Sequence, residues 1–598
     1  MADYRAPLRE IRFWLSLFTD SVVGNVTGAV SGGAEPRVGV LDDDVADAVL
    51  DEAARLAETV LAPLYRLGDR RGAELIDGRV TMPEEIKQAY AQLAGDGWIG
   101  LPVDEAYGGQ GLPQRLATAV NEIWKSANLS FSLCPMLTQG AIAALHAHAS
   151  DALRQRFLPQ MTSGEWTGTM NLTEPHAGSD LGALSTTATP DGDHYRIRGR
   201  KIFITWGDHD LADNIIHLVL ARIDGAPDGV NGISMFVVPK FLVNDDGTLG
   251  ARNEITTVAL EEKLGIHGSP TCALNYGESD GAVGYLVGEA NAGLKCMFTM
   301  MNTARLAVGV EGLAVSERAY QQALSYALER VQGTRADGSQ PVAIIEHPDV
   351  RRMLLLMRAG CDAMRGISYW VAALIDLASA GNAGADARVS LLTPIVKGWC
   401  TEVAQEIASL GVQVHGGVGY IEETGAAQVL RDARITTIYE GTTGIQANDL
   451  VGRKILRDRG RALRQLLQDI AASRSELAHD DAMAPINASL TVGLEAAEEV
   501  VDALLSRGVD QPAFAGTAAV NTLMLLGTLV AGWSLACAAR AAADMRAERS
   551  ADAAWFDAKI RTARFYAEHF MPRIGAYATT ILAGSDTVMS FSASDLQR

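Results

Sequence analysis

The chain has 598 residues, 48% hydrophobic and 21% charged, the make-up of a folded protein of three or four domains, which excludes disorder along its length. Lysine and arginine total 51 against 72 acidic residues, a net charge of −21, which excludes a general surface for nucleic acid or anionic membrane and requires any anionic ligand to be held by a local cluster. The cysteines, Cys134, Cys272, Cys296, Cys361, Cys400 and Cys537, are too far apart for a paired zinc or redox motif and read as reduced thiols of a cytoplasmic protein.

Residues 1–44 read as an N-terminal extension whose charges, among them Arg5, Arg9, Glu10 and Arg12, interrupt the apolar run that a secretory signal needs. Residues 45–163 read as a helical N-terminal domain. Asp51 to Leu61 has the period of an amphipathic helix, and Met82-Pro83-Glu84-Glu85-Ile86 places proline in a first turn. The stretch from Leu101 to Pro113, with Tyr107-Gly108-Gly109 inside it, is dense in turn formers and predicts a loop.

The texture changes over residues 164–288. Alternating runs such as His194 to Thr205 and Gly232 to Val238, separated by Asp-Gly and Asn-Gly turns, predict an antiparallel β barrel or sandwich. Two pieces of it look chemical. Thr173-Glu174-Pro175-His176-Ala177-Gly178-Ser179-Asp180 joins hydroxyls to a glycine loop whose donors can converge on a polar ring edge or an anion. Phe203-Ile204-Thr205-Trp206 offers an aromatic surface beside a hydroxyl. A hairpin loop and an ordinary strand account for them equally well.

The helical period returns over residues 289–460. A long helix carries Leu294 to Leu306 and continues to about Arg330, and further helices are predicted over Pro348 to Ala380, Thr393 to Leu410 and Gly441 to about Ala472. Arg305 is a lone cation among apolar neighbours and calls for an anionic partner. Gln413 to Tyr420 is a glycine-rich loop able to press its backbone against a ligand; it follows a helix, which argues against a dinucleotide fold of the strand-first kind.

In Ile438-Tyr439-Glu440-Gly441-Thr442-Thr443-Gly444-Ile445-Gln446, one carboxylate stands between a bulky apolar flank and a glycine turn. Glu440 is the candidate general base, because desolvation in an apolar cleft raises a carboxyl toward working pH. The competing reading is a carboxylate that satisfies the N-terminus of the next helix. Residues 461–598 read as an added helical domain. Its charge-free stretch Gln511 to Ala539 is interrupted by Asn521, Thr522, Gly527, Thr528 and Ser534 and reads as a buried helix, with peripheral membrane contact left open.

The order of these pieces over residues 45 to 456 resembles the acyl-CoA dehydrogenase family. Tyr107-Gly108-Gly109, the Thr173 to Asp180 loop, the Phe203-Ile204-Thr205 strand, Arg305, Gln413 to Gly419 and the Glu440 motif follow one another at family-like intervals. The resemblance implies a mainly α fold with a central β domain: helical N-terminal domain, antiparallel β barrel or sandwich, four-helix-bundle domain, and here an added C-terminal helical domain.

It also implies FAD. Leu172, Thr173, Gly178 and Ser179 would lie along the cofactor, and Phe203, Ile204 and Thr205 would cover one face. Arg330, Gln413, Gly416 and Gly417 would serve the flavin of a neighbouring subunit, and Thr442 would touch FAD. Ser179, Met301, Asn302, Arg305, Tyr439, Glu440 and Gly441 would bind the acyl-CoA, and Glu440 would take its α proton. Ala304 stands where some relatives carry their base, Gly444 where a polar residue is common and His176 where glycine is usual. The continuation Gly444 to Leu450 and the C-terminal extension resemble the larger bacterial branch, with its broad-range and 3-methylmercaptopropionyl-CoA dehydrogenases.

The expected partners are an acyl-CoA, an electron-transfer flavoprotein as acceptor and further copies of the chain, as homodimer or homotetramer, with no nucleic acid. Two rivals share the fold. A DNA-associated alkylation-response flavoprotein would need a basic patch, for which Arg540, Arg546 and Arg549 are the candidates, and an acyl-CoA oxidase would make peroxide under air.

Overall fold

The computed structural model describes residues 4–18, 42–335, 338–477 and 481–597. Most of the predicted N-terminal extension, 19–41, lies outside the described residues, as do 336 and 337 of the polar stretch before Pro348. The chain divides into two compact units. A sheet unit comprises Asp47–Pro113 and Ile123–Ala304, and a helical unit comprises Met1–Ala46, Gln114–Glu122 and Arg305–Arg598.

In the sheet unit, the helix Leu129–His148 starts where the Asn128 side chain accepts from Phe131 N at 3.2 Å, and it is apolar nearly all round because it is buried nearly all round. The following helix, Asp151–Ser163, ends at Gly164 in the left-handed region (φ +84). One departure from the predicted all-helical N-terminal region is a short hairpin, Glu74–Ile76 with Arg79–Thr81, turned through the left-handed pair Asp77 and Gly78.

Eight strands form the main sheet, in the order Ile255–Leu260, Thr271–Tyr276, His194–Thr205, Ala282–Val287, Ile233–Pro239, Asn214–Ile223 and Trp166–Asn171, with Thr187–Asp191 paired to two of them. Its core includes Ile197, Val219, Phe236, Val238 and Leu274, each with no exposed surface. Each such side chain stabilises the fold by about 2 kcal/mol through burial.

The pairing is antiparallel except that Asn214–Ile223 runs parallel to Trp166–Asn171 and to Thr187–Asp191. The antiparallel expectation missed this because both strands of the first pair are buried on both faces and carry no alternation to read.

The helical unit is organised on the helices Pro348–Ser379 and Ala383–His415 and on the long helix Gly293–Glu329 from Arg305 onward. Small residues let these axes approach. A Cβ on Gly312 would lie 2.7 Å from the Cys400 carbonyl oxygen, and one on Gly527 would lie 2.3 Å from Trp399 Cγ. The helix Ala383–His415 is thus packed against both Gly293–Glu329 and the C-terminal helix Pro512–Glu548.

Pro512–Glu548 is the one helix among the described residues long and apolar enough to cross a membrane, and 89% of its most apolar window is buried within the protein. Two of the three arginines weighed as a basic patch are paired with carboxylates: Arg540 with Asp544 and Arg546 with Asp557, each at 3.1 Å.

A buried charge cluster fixes several helices of this unit. Arg365 meets Glu122 at 2.6 Å, Glu317 at 2.9 Å and Asp362 at 3.2 Å, and Lys559 from Ala553–His569 reaches Asp362 at 2.9 Å and also pairs with Glu10.

Two helix expectations need correction. Ala383–His415 is longer than predicted at both ends, starting where Asn382 caps Ala385 N and taking in Gln413. The single helix predicted from Gly441 to about Ala472 is broken into Thr443–Asn448, a π-helical turn Asp449–Leu456 and Arg461–Ser473, because Arg459 (φ +57) and Gly460 (φ +72) take left-handed backbone.

Candidate active site

Glu440 stands just ahead of the helix Thr443–Asn448, whose N-terminus is capped by the hydroxyl of Thr442 accepting from Ile445 N at 3.3 Å. The cap belongs to Thr442, which removes the reading of Glu440 as a capping carboxylate. Glu440 itself has φ +56, followed by Gly441 at φ +90. A glutamate takes left-handed backbone only where its surroundings over-determine it, and such strain concentrates at functional sites.

The surroundings are charged and enclosed. Solvent reaches a minor part of the side chain, but the packing around it is that of the interior. Burial pushes the Glu440 carboxyl up to about 7, with Arg305 and Lys397 opposing and Glu311 adding to the rise. Arg305 is 7% exposed; burial lowers its pKa and the charges of Glu440 and Asp449 act against that. Lys397 has no exposed surface, and burial lowers it to about 8 although Glu440 and Glu311 hold its proton. Tyr439 donates its hydroxyl to Glu311. A carboxyl near neutrality, with the charges of Arg305 and Lys397 acting on it, is equipped to take a proton from carbon at physiological pH.

In the sheet unit the Thr173 to Asp180 loop is built around Glu174, 2% exposed. Its carboxylate accepts from Ser185 N (2.7 Å), Ser185 Oγ (2.8 Å), Thr186 N (3.0 Å), Thr186 Oγ1 (2.5 Å) and Lys201 Nζ (2.8 Å). Burial pushes the Glu174 carboxyl up, but Lys201 and the other donors outweigh it and hold it at about 2. Lys201 also donates to the Leu172 carbonyl (3.0 Å), and Ile202 N donates to the Thr173 carbonyl (3.0 Å). These bonds bring Leu172 and Thr173 against the strand that carries Phe203, Ile204 and Thr205.

Backbone bonds between Glu174 and Ala177 close a turn over Pro175 and His176, and Gly178 and Ser179 follow it exposed. Phe203 is left-handed (φ +60) and 58% exposed, while Ile204 is buried and Thr205 accepts at its carbonyl from Thr169 Oγ1 at 2.7 Å.

The remaining candidates fall as follows. Met301 is half-buried and Asn302 exposed on the first part of Gly293–Glu329. Arg330 follows that helix and donates to Gln332 Oε1 at 3.2 Å. Gln413 is exposed on the last turn of Ala383–His415, not in a loop as predicted, and Gly416 and Gly417 open a short 3-10 segment with clear space beside each Cα. Tyr326 stacks on His415 with ring centroids 4.6 Å apart, which joins the ends of the two helices bearing these residues. Glu311, Lys397 and Lys201 were not singled out from the sequence, and Glu174 and Gln446 were quoted there within their motifs without a role. Lys397 and Glu311 were readable only as single charges in apolar helical runs, and Lys201 only as a lysine in a strand otherwise set by alternation.

A helical bundle with a carboxyl pushed up to about 7, in a chain whose β sheet presents a hydroxyl- and glycine-bearing loop, is the arrangement of an oxidoreductase. Four family profiles match in chain order: acyl-CoA dehydrogenase N-terminal domain (43–165), middle domain (169–278) and C-terminal domain (291–456), then acetyl-CoA dehydrogenase C-terminal like (463–592). The chain belongs to the acyl-CoA dehydrogenase family.

It is 46% identical to 3-methylmercaptopropionyl-CoA dehydrogenase of Ruegeria pomeroyi, over 98% of this chain and 100% of that one. It is 36% identical to the broad-specificity linear acyl-CoA dehydrogenase FadE5 of Mycobacterium tuberculosis, over 96% of each chain. The crystal structure of an acyl-CoA dehydrogenase complexed with FAD from Bacillus anthracis shares the fold, with a TM-score of 0.74 at 21% identity over 94% of this chain and 91% of that one.

Proposed function

We propose that the protein oxidises an acyl-CoA thioester between its α and β carbons to the trans-2-enoyl-CoA, in fatty-acid β-oxidation or related acyl-CoA catabolism, with FAD as cofactor. The observation that carries this reading is Glu440, a strained, enclosed carboxyl whose pKa burial pushes up to about 7 against the charges of Arg305 and Lys397.

The residues present suit FAD. Phe203 offers an exposed ring face, a side chain on Gly178 would meet nothing within 4 Å, and the loop bearing Thr173 and Ser179 is anchored from below by Glu174. Leu172, Thr173, Gly178, Ser179, Phe203, Ile204 and Thr205 would hold it with Thr442, and Arg330, Gln413, Gly416 and Gly417 would serve the cofactor of a second copy. Bound there, FAD supplies the acceptor for the hydride that leaves the substrate's β carbon.

The protein's own part is acid–base and positional. The thioester carbonyl acidifies the α C–H, and Glu440, ionised above pH 7, takes that proton. Exclusion of water keeps the carboxylate basic. Ser179, Met301, Asn302, Arg305, Tyr439 and Gly441 are the proposed contacts of the acyl-CoA, with Arg305 keeping a positive charge beside the base.

The full-length relative from Ruegeria supports short thioether-bearing acyl groups as the first substrates to test. In this reading the electron acceptor is an electron-transfer flavoprotein, the assembly is a homodimer or homotetramer, and the protein is cytoplasmic. Anaerobic mixing of the yellow protein with short, sulfur-containing, medium and long acyl-CoAs tests it. At least one class bleaches the flavin, and Glu440→Gln keeps FAD but does not bleach; bleaching of that variant at the wild-type rate would overturn the assignment of the base.

A further inference from the structure

The stretch that carries the base is held by two buried side chains that take successive carbonyls. Gln446, 1% exposed, donates Nε2 to the carbonyl of Glu440 at 2.9 Å, and Lys397, with no exposed surface, donates Nζ to the carbonyl of Gly441 at 2.7 Å. Those carbonyls belong to the two left-handed residues of the turn. A third fixing point is Thr443, whose Oγ1 donates to Glu402 Oε1 at 2.5 Å. Glu402 and Lys397 both lie on Ala383–His415, so one rigid helix fixes the turn at two points.

Packing does not explain the lysine. Its neighbours one helical turn away, Thr393, Pro394, Cys400 and Thr401, are buried and uncharged, and a methionine would fill similar space without the several kcal/mol needed to bury an ammonium. The charged and titratable groups around it are Glu440 and Tyr439 in the turn, Arg305 and Glu311 on Gly293–Glu329, and Glu402 on its own helix, with Asp449 beyond Arg305.

We propose that Lys397 and Gln446 are positioning residues for the proton-transfer step. Together they hold residues 440–441 in the left-handed turn that aims the Glu440 carboxylate, and the Lys397 ammonium is also a counter-charge that favours ionisation of that carboxylate. The inference rests on Glu440 being the base. Without Lys397, Arg305 remains as the cation beside Glu440 while Glu311 still repels it, so the carboxyl holds its proton to higher pH and the turn is free to relax.

The test uses the full-length, FAD-loaded protein and the variants Lys397→Met, Lys397→Arg, Gln446→Met and Glu440→Gln. Difference infrared titration without substrate follows the carboxyl band that disappears in Glu440→Gln. In Lys397→Met its midpoint rises by about one pH unit, and the acid limb of substrate-driven flavin bleaching moves with it. Lys397→Arg keeps the midpoint near the wild-type value. Gln446→Met leaves the midpoint in place but slows bleaching at the pH optimum roughly tenfold or more, since only aim is lost.

A wild-type midpoint and rate in Lys397→Met would overturn the role of the lysine, and a wild-type rate in Gln446→Met that of the glutamine. If Lys397→Met does not fold, Lys397→Arg decides for the lysine. A geometric clamp predicts slower bleaching at an unmoved midpoint, and a wild-type rate in that variant would overturn the clamp. Bleaching by Glu440→Gln at the wild-type rate defeats the base assignment itself, whereas the infrared midpoint still reports whether Lys397 acts on Glu440, so the two failures are distinct.

Discussion

Glu174 and Lys201 form an ion pair at 2.8 Å with at most 1% of either side chain exposed, and the same ammonium holds the Leu172 carbonyl. The pair therefore joins the strand bearing Phe203 to the loop bearing Thr173. Lys201→Met leaves Glu174 as a buried carboxylate without its counter-charge, held by its four remaining donors, and removing one partner of such a pair costs about 3–5 kcal/mol. The expected result is a lower unfolding temperature and loss of FAD during purification. Lys201→Met with Glu174→Gln restores most of the stability but not the cofactor affinity, because the Leu172 carbonyl is still released. Thermal unfolding and the flavin-to-protein absorbance ratio measure the two effects separately.

Glu440 should work against stability as the pH rises. Its carboxyl ionises near 4.5 in the unfolded chain and near 7 in the folded protein. Between those values the unfolded state carries fewer protons, so folding stability declines as pH rises through the window, by about 3 kcal/mol in all, and the deficit is complete above pH 7. Glu440→Gln has no such term. Its unfolding temperature relative to wild type should climb between pH 5 and pH 8 and level off above; a constant difference across that range would contradict the raised pKa.

The elements that could be read from the chain are those whose signal is local. Glu440 was legible because a lone acid between tyrosine and glycine, just before an apolar helix, is unusual within its own few residues. Lys397 and Glu311 were not, because what makes them part of the site is contact with residues 44 and 128 positions away, and alone each is one charge in an apolar helix. The parallel strand pair was hidden by burial on both faces. The π turn that follows Asn448 was hidden because Leu450, Val451 and Ile455 continue the apolar pattern while the backbone shifts phase.

Arg365 is the residue whose loss should damage the helical unit most. Its guanidinium faces Glu122, Glu317 and Asp362, and Glu122 also accepts from Tyr369 at 2.6 Å. Arg365→Met leaves three buried carboxylates with Lys559 as the cation shown paired to one of them, Asp362. A loss of at least about 3–5 kcal/mol follows, enough to deplete soluble protein. Lys559→Met should cost less, since Asp362 keeps Arg365. Unfolding in urea should rank wild type above Lys559→Met above Arg365→Met, and the reverse order of the two variants would show that Lys559 is the centre of the cluster.

Two glycines three residues apart should respond to alanine with opposite signs. Gly441 has φ +90, and a Cβ there would sit 2.8 Å from Gln446 Nε2 and 3.2 Å from Ile445 Cγ2. Gly441→Ala must therefore strain the backbone and displace the amide that holds the Glu440 carbonyl, so flavin bleaching by acyl-CoA should slow about a hundredfold while FAD stays bound. Gly444 lies in the first turn of Thr443–Asn448, and its Cβ would meet only Thr442 Oγ1, at 3.8 Å. Gly444→Ala has no steric obstacle and improves helix propensity, raising stability by about 0.4–1 kcal/mol with bleaching unchanged. Stopped-flow bleaching and thermal unfolding of the two variants side by side check both. Equal slowing in the two would mean that this segment tolerates no added methyl group, and that the left-handed turn at Gly441 is not the sensitive feature.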